Sequence, residues 1–163
     1  MLDSTIVIST LPATKTRHPV RPIEFGQIAA LLPHRYPFLL VDRIDDYQPG
    51  EWIRGSKNVN AQDILMRSRG HSHYPAALVV ESIGQLGIAL FNLSRASERP
   101  ADIVLGSIND VRIHARIAPD ARLRIEARIE RLLENGLILS GRALLGDVEV
   151  ISVGTLIAMV DPR

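Results

Sequence analysis

The stretch that decides the fold is residues 76–96, AALVVESIGQLGIALFNLSRA. Apolar residues lie on nearly every face of this stretch for about five turns of helix. No run in the chain reaches the ~18 apolar residues that a membrane span needs. A helix that is apolar all round and too short to span a membrane is normally buried in the middle of a domain. Pro75 stands just before the stretch, in a position that favours helix initiation.

The segments on either side of this helix indicate antiparallel strands. Upstream, residues 37–48 and 51–60 predict two strands that flank a Pro-Gly turn. Downstream, apolar and charged residues alternate over 122–130, which is typical of a strand with one face on a core and one in water. Asn135-Gly136 and Gly146-Asp147 predict hairpin turns between the last strands.

The order of elements predicts an α+β architecture, with one antiparallel sheet wrapped around the long helix. A short helix is expected at 23–32, and the polar segment 60–74 is interpreted as a loop. Residues 1–22 have no sustained period and are expected to form a loosely held arm. The 163 residues suit one domain, which we place at 23–163.

Composition excludes several classes of protein. The absence of cysteine removes disulfides, thiolate nucleophiles and cysteine metal sites. A net charge of +1 and an aromatic content of 4% argue against nucleic-acid binding. Phosphate-loop, dinucleotide, zinc-protease and nucleophile-elbow motifs are missing from the sequence. The first residues lack a basic region and include Asp3, so we expect no signal peptide and a cytoplasmic protein.

Glu81 and Gln85 are the informative polar residues of the long helix. They are four residues apart and therefore share one face. A buried carboxylate finds a partner or has its pKa raised, so Glu81 is either a structural residue paired with an arginine or a functional residue facing a cavity. Gln85 extends the polar stripe and favours the second interpretation. Gly84 and Gly87 each weaken a helix by roughly 1 kcal/mol and therefore indicate close approach to the sheet or to an elongated ligand.

A histidine pair precedes the helix, in the run Gly70-His71-Ser72-His73. Histidine is the commonest general base near neutral pH, although a loop histidine is often only solvated. Glu81, ten residues after His71 on a buried helix, favours catalysis. The spacing of His71 and His73 resembles a metal-binding pair, but no third ligand lies nearby in the sequence, so we predict no metal site.

Four segments together resemble the FabZ-type 3-hydroxyacyl-[acyl-carrier-protein] dehydratases. They are LLPHRYPFLLVDRI at 31–44, KNV at 57–59, ALVVESIGQLG at 77–87, and VLGSINDVRIHARIAPDARLRIEARI at 104–129. The resemblance runs from about residue 23 to residue 161. It implies a hotdog fold, in which an antiparallel sheet wraps around the long helix and pairs edge to edge into a homodimer. Members of this family often assemble three such dimers.

The resemblance also implies the substrate and the site. The substrate is a 3-hydroxyacyl chain tethered by phosphopantetheine to an acyl carrier protein, with no metal or nucleotide cofactor. The active site lies at the dimer interface, with the histidine from one subunit and the glutamate from the other. By position Glu81 matches the catalytic acid and Gln85 the glutamine one turn later.

The chain departs from the family pattern just before the helix. The family reads G-H-F-P-x-x-P-x-x-P-G, with fourteen positions from the histidine to the glutamate. Here His71 lies ten positions before Glu81, and the fourteenth position is Arg67. Pro75-Ala76 replaces the family's Pro-Gly, whose glycine N–H helps to hold the thioester carbonyl.

Our leading hypothesis is reversible syn-elimination of water from a (3R)-3-hydroxyacyl thioester. His71 is the predicted base, Glu81, its pKa raised by burial, is the predicted acid, and Gln85 orients it. The predicted substrate-binding residues are Pro75, Ala76, Gly84, Arg112 and Arg116, the arginines meeting the phosphate or the acidic carrier. Two alternatives stay open: a catalytically silent acyl-binding subunit that partners an active paralogue, and a hotdog thioesterase.

Overall fold

The computed structural model describes residues 22–67, 72–95 and 99–161. His71 and residues 1–21 of the predicted arm lie outside these ranges. The helices are α1 (Phe25–Leu31), α2 (Ile64–Arg67) and α3 (Ala76–Ser94). The strands are β1 (Ile23–Glu24), β2 (Arg43–Gln48), β3 (Trp52–Asn58), β4 (Ile103–Ile113), β5 (Arg122–Leu133), β6 (Gly136–Leu145) and β7 (Val148–Val160).

The seven strands form one sheet in the order β1-β2-β3-β5-β6-β7-β4, and every neighbouring pair is antiparallel. Helix α3 contacts β3, β4, β5, β6 and β7, so the sheet curves around it. Side chains of the helix and of the inner sheet face form one buried cluster. The predicted α+β architecture, with one long helix enclosed by an antiparallel sheet, is confirmed.

Helix α3 is a core helix, as its all-round apolar pattern predicts. Its 19 residues and mean hydropathy of 1.6 would suffice for a membrane span, so the expectation that it is too short for one was wrong. Of the 18-residue stretch of α3 with this hydropathy, 72% is buried inside the protein. Since the sheet already covers the helix, its apolar surface is satisfied by packing.

The glycines of α3 mark its close approach to the sheet. A Cβ atom at Gly84 would lie 3.3 Å from Leu105 Cδ1 of β4, and one at Gly87 would overlap the Leu139 side chain of β6. Gly141 of β6 marks the same close approach from the sheet side, because a Cβ there would overlap the side chain of Ile83 on α3. Of the two predicted explanations for these glycines, approach to the sheet is therefore confirmed.

Two elements differ from the sequence prediction. Strand β2 begins at Arg43, so the prediction of a strand from residue 37 is wrong in its first half. Leu40 N and Phe38 O hydrogen-bond to the Gln85 side chain instead of to a neighbouring strand. The predicted loop at 60–74 contains α2, where Asp63 Oδ1 accepts a hydrogen bond from Leu65 N at 3.0 Å and caps the turn.

Strand β4 forms one end of the sheet. It pairs with β7 on one side and with no described strand on the other. Its large exposed apolar side chains are Val104, Ile108, Val111 and Ile113. A long edge strand with exposed apolar residues is a surface to which another chain can add.

Candidate active site

Gln85 is the centre of a hydrogen-bond network on α3. It is fully buried, and its Oε1 accepts a hydrogen bond from Leu40 N at 2.9 Å. Its Nε2 donates to Phe38 O at 2.8 Å and to Glu81 Oε1 at 3.0 Å. One side chain therefore ties the central helix to the segment before β2 and orients the carboxylate one turn earlier on the helix.

His34 is the second partner of Glu81. The two side chains are 20% and 25% exposed, and His34 Nε2 lies 3.4 Å from Glu81 Oε1. His34 was not predicted as a site residue, although it lies inside the run 31–44. The residues are 47 positions apart, and only the folding of segment 31–40 onto α3 brings them together.

The pKa of the Glu81 carboxyl is lowered from its ordinary value. The hydrogen bond from His34 is the main cause, and the Gln85 hydrogen bond and the His34 charge add to it against the opposing effect of burial. The prediction that burial raises this pKa is therefore wrong. The fold places hydrogen-bond donors beside the carboxylate, and their effect on its pKa is larger than the opposing effect of desolvation.

The Glu81 carboxylate retains one oxygen for a ligand. Both His34 and Gln85 contact Oε1, and within the described residues Oε2 has no hydrogen-bond partner. Among the described residues, the partners of Glu81 are a histidine and a glutamine, not the arginine of the predicted structural alternative. Glu81 is instead held by one oxygen and can accept a hydrogen bond through the other.

A groove of about 350 Å³ lies at the start of α3. It is lined by Ser72, His73, Tyr74, Pro75, Ala76, Ile113, Ala115, Arg116, Ile117 and Ile151. Three predicted substrate-binding residues, Pro75, Ala76 and Arg116, thus share one cavity. The groove combines apolar walls with a histidine, an arginine and the N-terminal end of a long helix, a composition suited to an acyl thioester.

The remaining predicted site residues lie elsewhere. The Arg112 guanidinium, on the edge strand β4, donates to both carboxylate oxygens of Asp110 at 3.1 Å. Gly84 faces the sheet, as described above. Glu81 is not among the residues that line the groove. Each protomer therefore carries two separate parts, the groove at the start of α3 and the Glu81–Gln85 face of the same helix.

Comparisons with known proteins identify the family. A family model described as a FabA-like domain matches residues 32–155. The 3-hydroxyacyl-[acyl-carrier-protein] dehydratase FabZ of Syntrophotalea carbinolica is 31% identical over 143 residues, which are 86% of this chain and 97% of that protein. The chain belongs to the FabZ-type dehydratase family. The FabZ of Campylobacter hominis is 35% identical over 144 residues, covering 85% of this chain and 97% of that protein.

A solved structure supports the fold. The dehydratase heterocomplex ApeI:P of Xenorhabdus doucetiae matches with a TM-score of 0.71 at 16% sequence identity, over 83% of this chain and 91% of that chain. The predicted hotdog fold is confirmed, and so is the assignment of this FabZ-type chain to the dehydratases, which are hydro-lyases. Among residues 22–67, 72–95 and 99–161, no three His, Asp or Glu side chains lie close enough to share a metal ion.

Proposed function

We propose that this FabZ-type chain removes water reversibly from a (3R)-3-hydroxyacyl thioester carried by an acyl carrier protein and forms the trans-2-enoyl thioester. The reaction belongs to fatty acid or related acyl-chain biosynthesis in the cytoplasm and uses no metal or nucleotide cofactor. One observation carries the proposal: the central helix of this family member holds a carboxylate, Glu81, which is oriented through Oε1 and has no partner at Oε2 among the residues that the structure describes.

The first step is removal of the proton at C2 of the acyl chain. As this proton leaves, negative charge develops on the thioester oxygen. The first backbone N–H groups of α3 have no partner within the helix and lie at its positive end. Ala76 supplies such an N–H where the family has glycine. Arg116, in the same groove, adds positive charge.

Glu81 takes a role different from the general acid that the sequence suggested. Because its pKa is lowered, the carboxylate is ionised at neutral pH. It accepts a hydrogen bond from the C3 hydroxyl and orients it. In a syn-elimination the C2 hydrogen and the C3 hydroxyl lie on the same side, so the base that takes the proton can return it to the departing oxygen. Water leaves, the C2–C3 double bond forms, and the base is regenerated.

Assembly completes the site in this proposal. A second copy that adds to the open edge of β4 covers the exposed apolar side chains of that strand. Ile113 is 61% exposed on β4 and also lines the groove, so the groove opens at this edge. Glu81 of the second copy then supplies the carboxylate that the groove lacks. Three such dimers can assemble further, and Arg112, whose side chain is 65% exposed, meets the phosphopantetheine phosphate or the acidic carrier.

The test is a direct assay of the full chain with 3-hydroxyacyl carrier substrates of several chain lengths. Mass spectrometry follows the loss of water, and a thiol reagent follows hydrolysis in parallel. We expect the enoyl product in wild type, its loss in Glu81→Gln, and no release of thiol. Lack of turnover at every chain length contradicts the proposal. Release of thiol supports a thioesterase, and carrier binding without turnover supports a silent subunit; the named dehydratase relatives favour neither.

A further inference from the structure

We propose that His73 is the general base of this dehydration, an inference that rests on the function proposed above. The family pattern offers no such residue at this place, since His73 lies eight positions before Glu81 instead of fourteen. The sequence analysis considered His73 only as half of a metal-binding pair. The structure places it in the groove at the start of α3.

The location of His73 suits removal of the C2 proton. C2 is bonded to the thioester carbonyl carbon, so the base must lie next to the place where that carbonyl binds. His73 lines the same groove as Pro75 and Ala76, at the N-terminal end of α3. The backbone just after it is fixed, because Tyr74 N donates to Ile117 O at 2.8 Å.

The imidazole of His73 is oriented through one nitrogen. Ser72 Oγ lies 3.0 Å from His73 Nδ1. When Nδ1 carries the hydrogen and donates it to Ser72 Oγ, Nε2 retains its lone pair and can accept a proton. No described residue forms a hydrogen bond with His73 Nε2. A hydroxyl that orients the ring on one side and an unengaged nitrogen on the other is the arrangement that a general base requires.

The walls of the groove suit the rest of the substrate. Ile113, Ile117 and Ile151 provide apolar surface for the carbons next to the thioester. Arg116 stabilises negative charge on the thioester oxygen as the proton is removed. In the balanced reaction the C2 proton passes to His73 Nε2 and then to the departing C3 oxygen. The C3–O bond breaks, water is released, and His73 returns to its neutral form.

The other candidates in the described part of the chain are less suited to this role. A guanidinium at position 67, fourteen residues before Glu81, stays protonated and cannot accept a proton. His34 contacts Glu81 through Nε2, its Nδ1 is buried, and it does not line the groove. His114 lies within hydrogen-bonding distance of Ser152 and Glu149 and does not line the groove.

The test compares histidine variants of the full-length enzyme in steady-state dehydration. For His73→Ala and His73→Gln we expect kcat to fall by about 100-fold or more, with KM changed only a few-fold. Added imidazole should restore part of the rate of His73→Ala and none of the rate of Glu81→Gln, a rescue that a purely structural role would not produce. The control His114→Gln should stay within a few-fold of wild type, and His71→Ala is assayed in parallel as the competing base. Thermal melting of each variant shows whether it is folded.

The outcomes separate this inference from the function on which it rests. If folded His73 variants keep wild-type kcat while Glu81→Gln is inactive, the chain is a dehydratase and His73 is not its base. If His71→Ala loses the activity and imidazole rescues it, His71 is the base. If the wild type itself forms no enoyl product with any substrate, the function fails, whatever His73 does.

Discussion

Glu81 and Glu126 are two carboxylates in different layers of the molecule. Glu81 lies on the central helix, and Glu126 lies on the outer face of β5. The pKa of both carboxyls is lowered, but by different surroundings. At Glu126, burial opposes the shift, and the Arg142 hydrogen bond together with the charges of Arg142, Arg54 and Arg124 outweighs it. At Glu81 the main cause is a hydrogen bond from His34.

The two carboxylates differ most in the hydrogen-bonding capacity that remains. Glu126 Oε1 lies 3.2 Å from Arg54 Nε and 3.3 Å from Arg124 Nε, and Oε2 lies 2.8 Å from an Arg142 nitrogen. Both of its oxygens are therefore occupied by arginines. Within the described ranges, Glu81 has partners on Oε1 and none on Oε2. The direction of a pKa shift thus does not separate a structural carboxylate from a functional one, whereas an oxygen left without a partner does.

The largest expected effect is on activity, in a matched pair of substitutions. Glu81→Gln replaces the charged carboxylate by a neutral amide, which is a weaker acceptor for the C3 hydroxyl, and we expect kcat/KM for dehydration to fall by about 100-fold or more. Glu126→Gln makes the same chemical change on the outer face and should leave kcat/KM within about twofold. Steady-state assays of both variants check this, and equal losses in the two would remove the distinction between them.

A second prediction concerns the support of the Glu81 face. Gln85→Leu keeps the side chain at a similar size but makes it apolar, which leaves Leu40 N and Phe38 O without their partner. We expect the free energy of unfolding to fall by at least about 2 kcal/mol, because each buried unpaired group costs about 1–3 kcal/mol. Denaturant titration measures this. The exposed Gln62→Leu is the control and should change stability by less than about 0.5 kcal/mol; a Gln85 variant as stable as that control would contradict the network.

A third prediction follows from the cause of the Glu81 shift. His34→Ala removes the donor that lowers the pKa of Glu81, so this pKa should rise. As the pH is lowered, the Glu81 carboxylate of the variant should become protonated at a higher pH than that of wild type. We expect the acidic limb of the kcat/KM profile to move to higher pH. Arg142→Ala should raise the pKa of Glu126 in the same way without moving that limb. An unmoved limb in His34→Ala would show that the ionisation of Glu81 does not control the rate.

The smallest expected effect is the contribution of Glu126 to stability. Because its pKa is lowered, the ionised Glu126 stabilises the fold at pH values above the ordinary pKa of glutamate. This stabilisation is lost as the pH falls through the pKa of the folded state. Relative to wild type, Glu126→Gln should lose about 1 kcal/mol or less at neutral pH. The difference should shrink at acidic pH and in high salt. Urea titrations at two pH values and two salt concentrations measure it, and a loss independent of both would rule out an electrostatic origin.

The elements of this fold were predictable wherever the pattern is local. The apolar run 76–96 predicted α3, and alternation predicted β5, because both depend on periods along the chain itself. The start of β2 was mispredicted because Gln85, 45 residues beyond Leu40, takes its backbone N–H. The pairing of Glu81 with Gln85 was predictable from four-residue spacing, whereas its pairing with His34 was not.

The sequence by itself determined that a carboxylate lies on a central apolar helix in a FabZ-type chain, since helical period and motif are read along one dimension. Only the tertiary structure decided the state of that carboxylate. Its pKa depends on a hydrogen bond from His34, which belongs to segment 31–40. Hydrogen bonds act over a few ångström in space, regardless of the separation of the two residues along the chain. The same holds for the groove, because Ile117, which contacts Tyr74, and the lining residues Ile113 and Ile151 come from segments far downstream in the sequence.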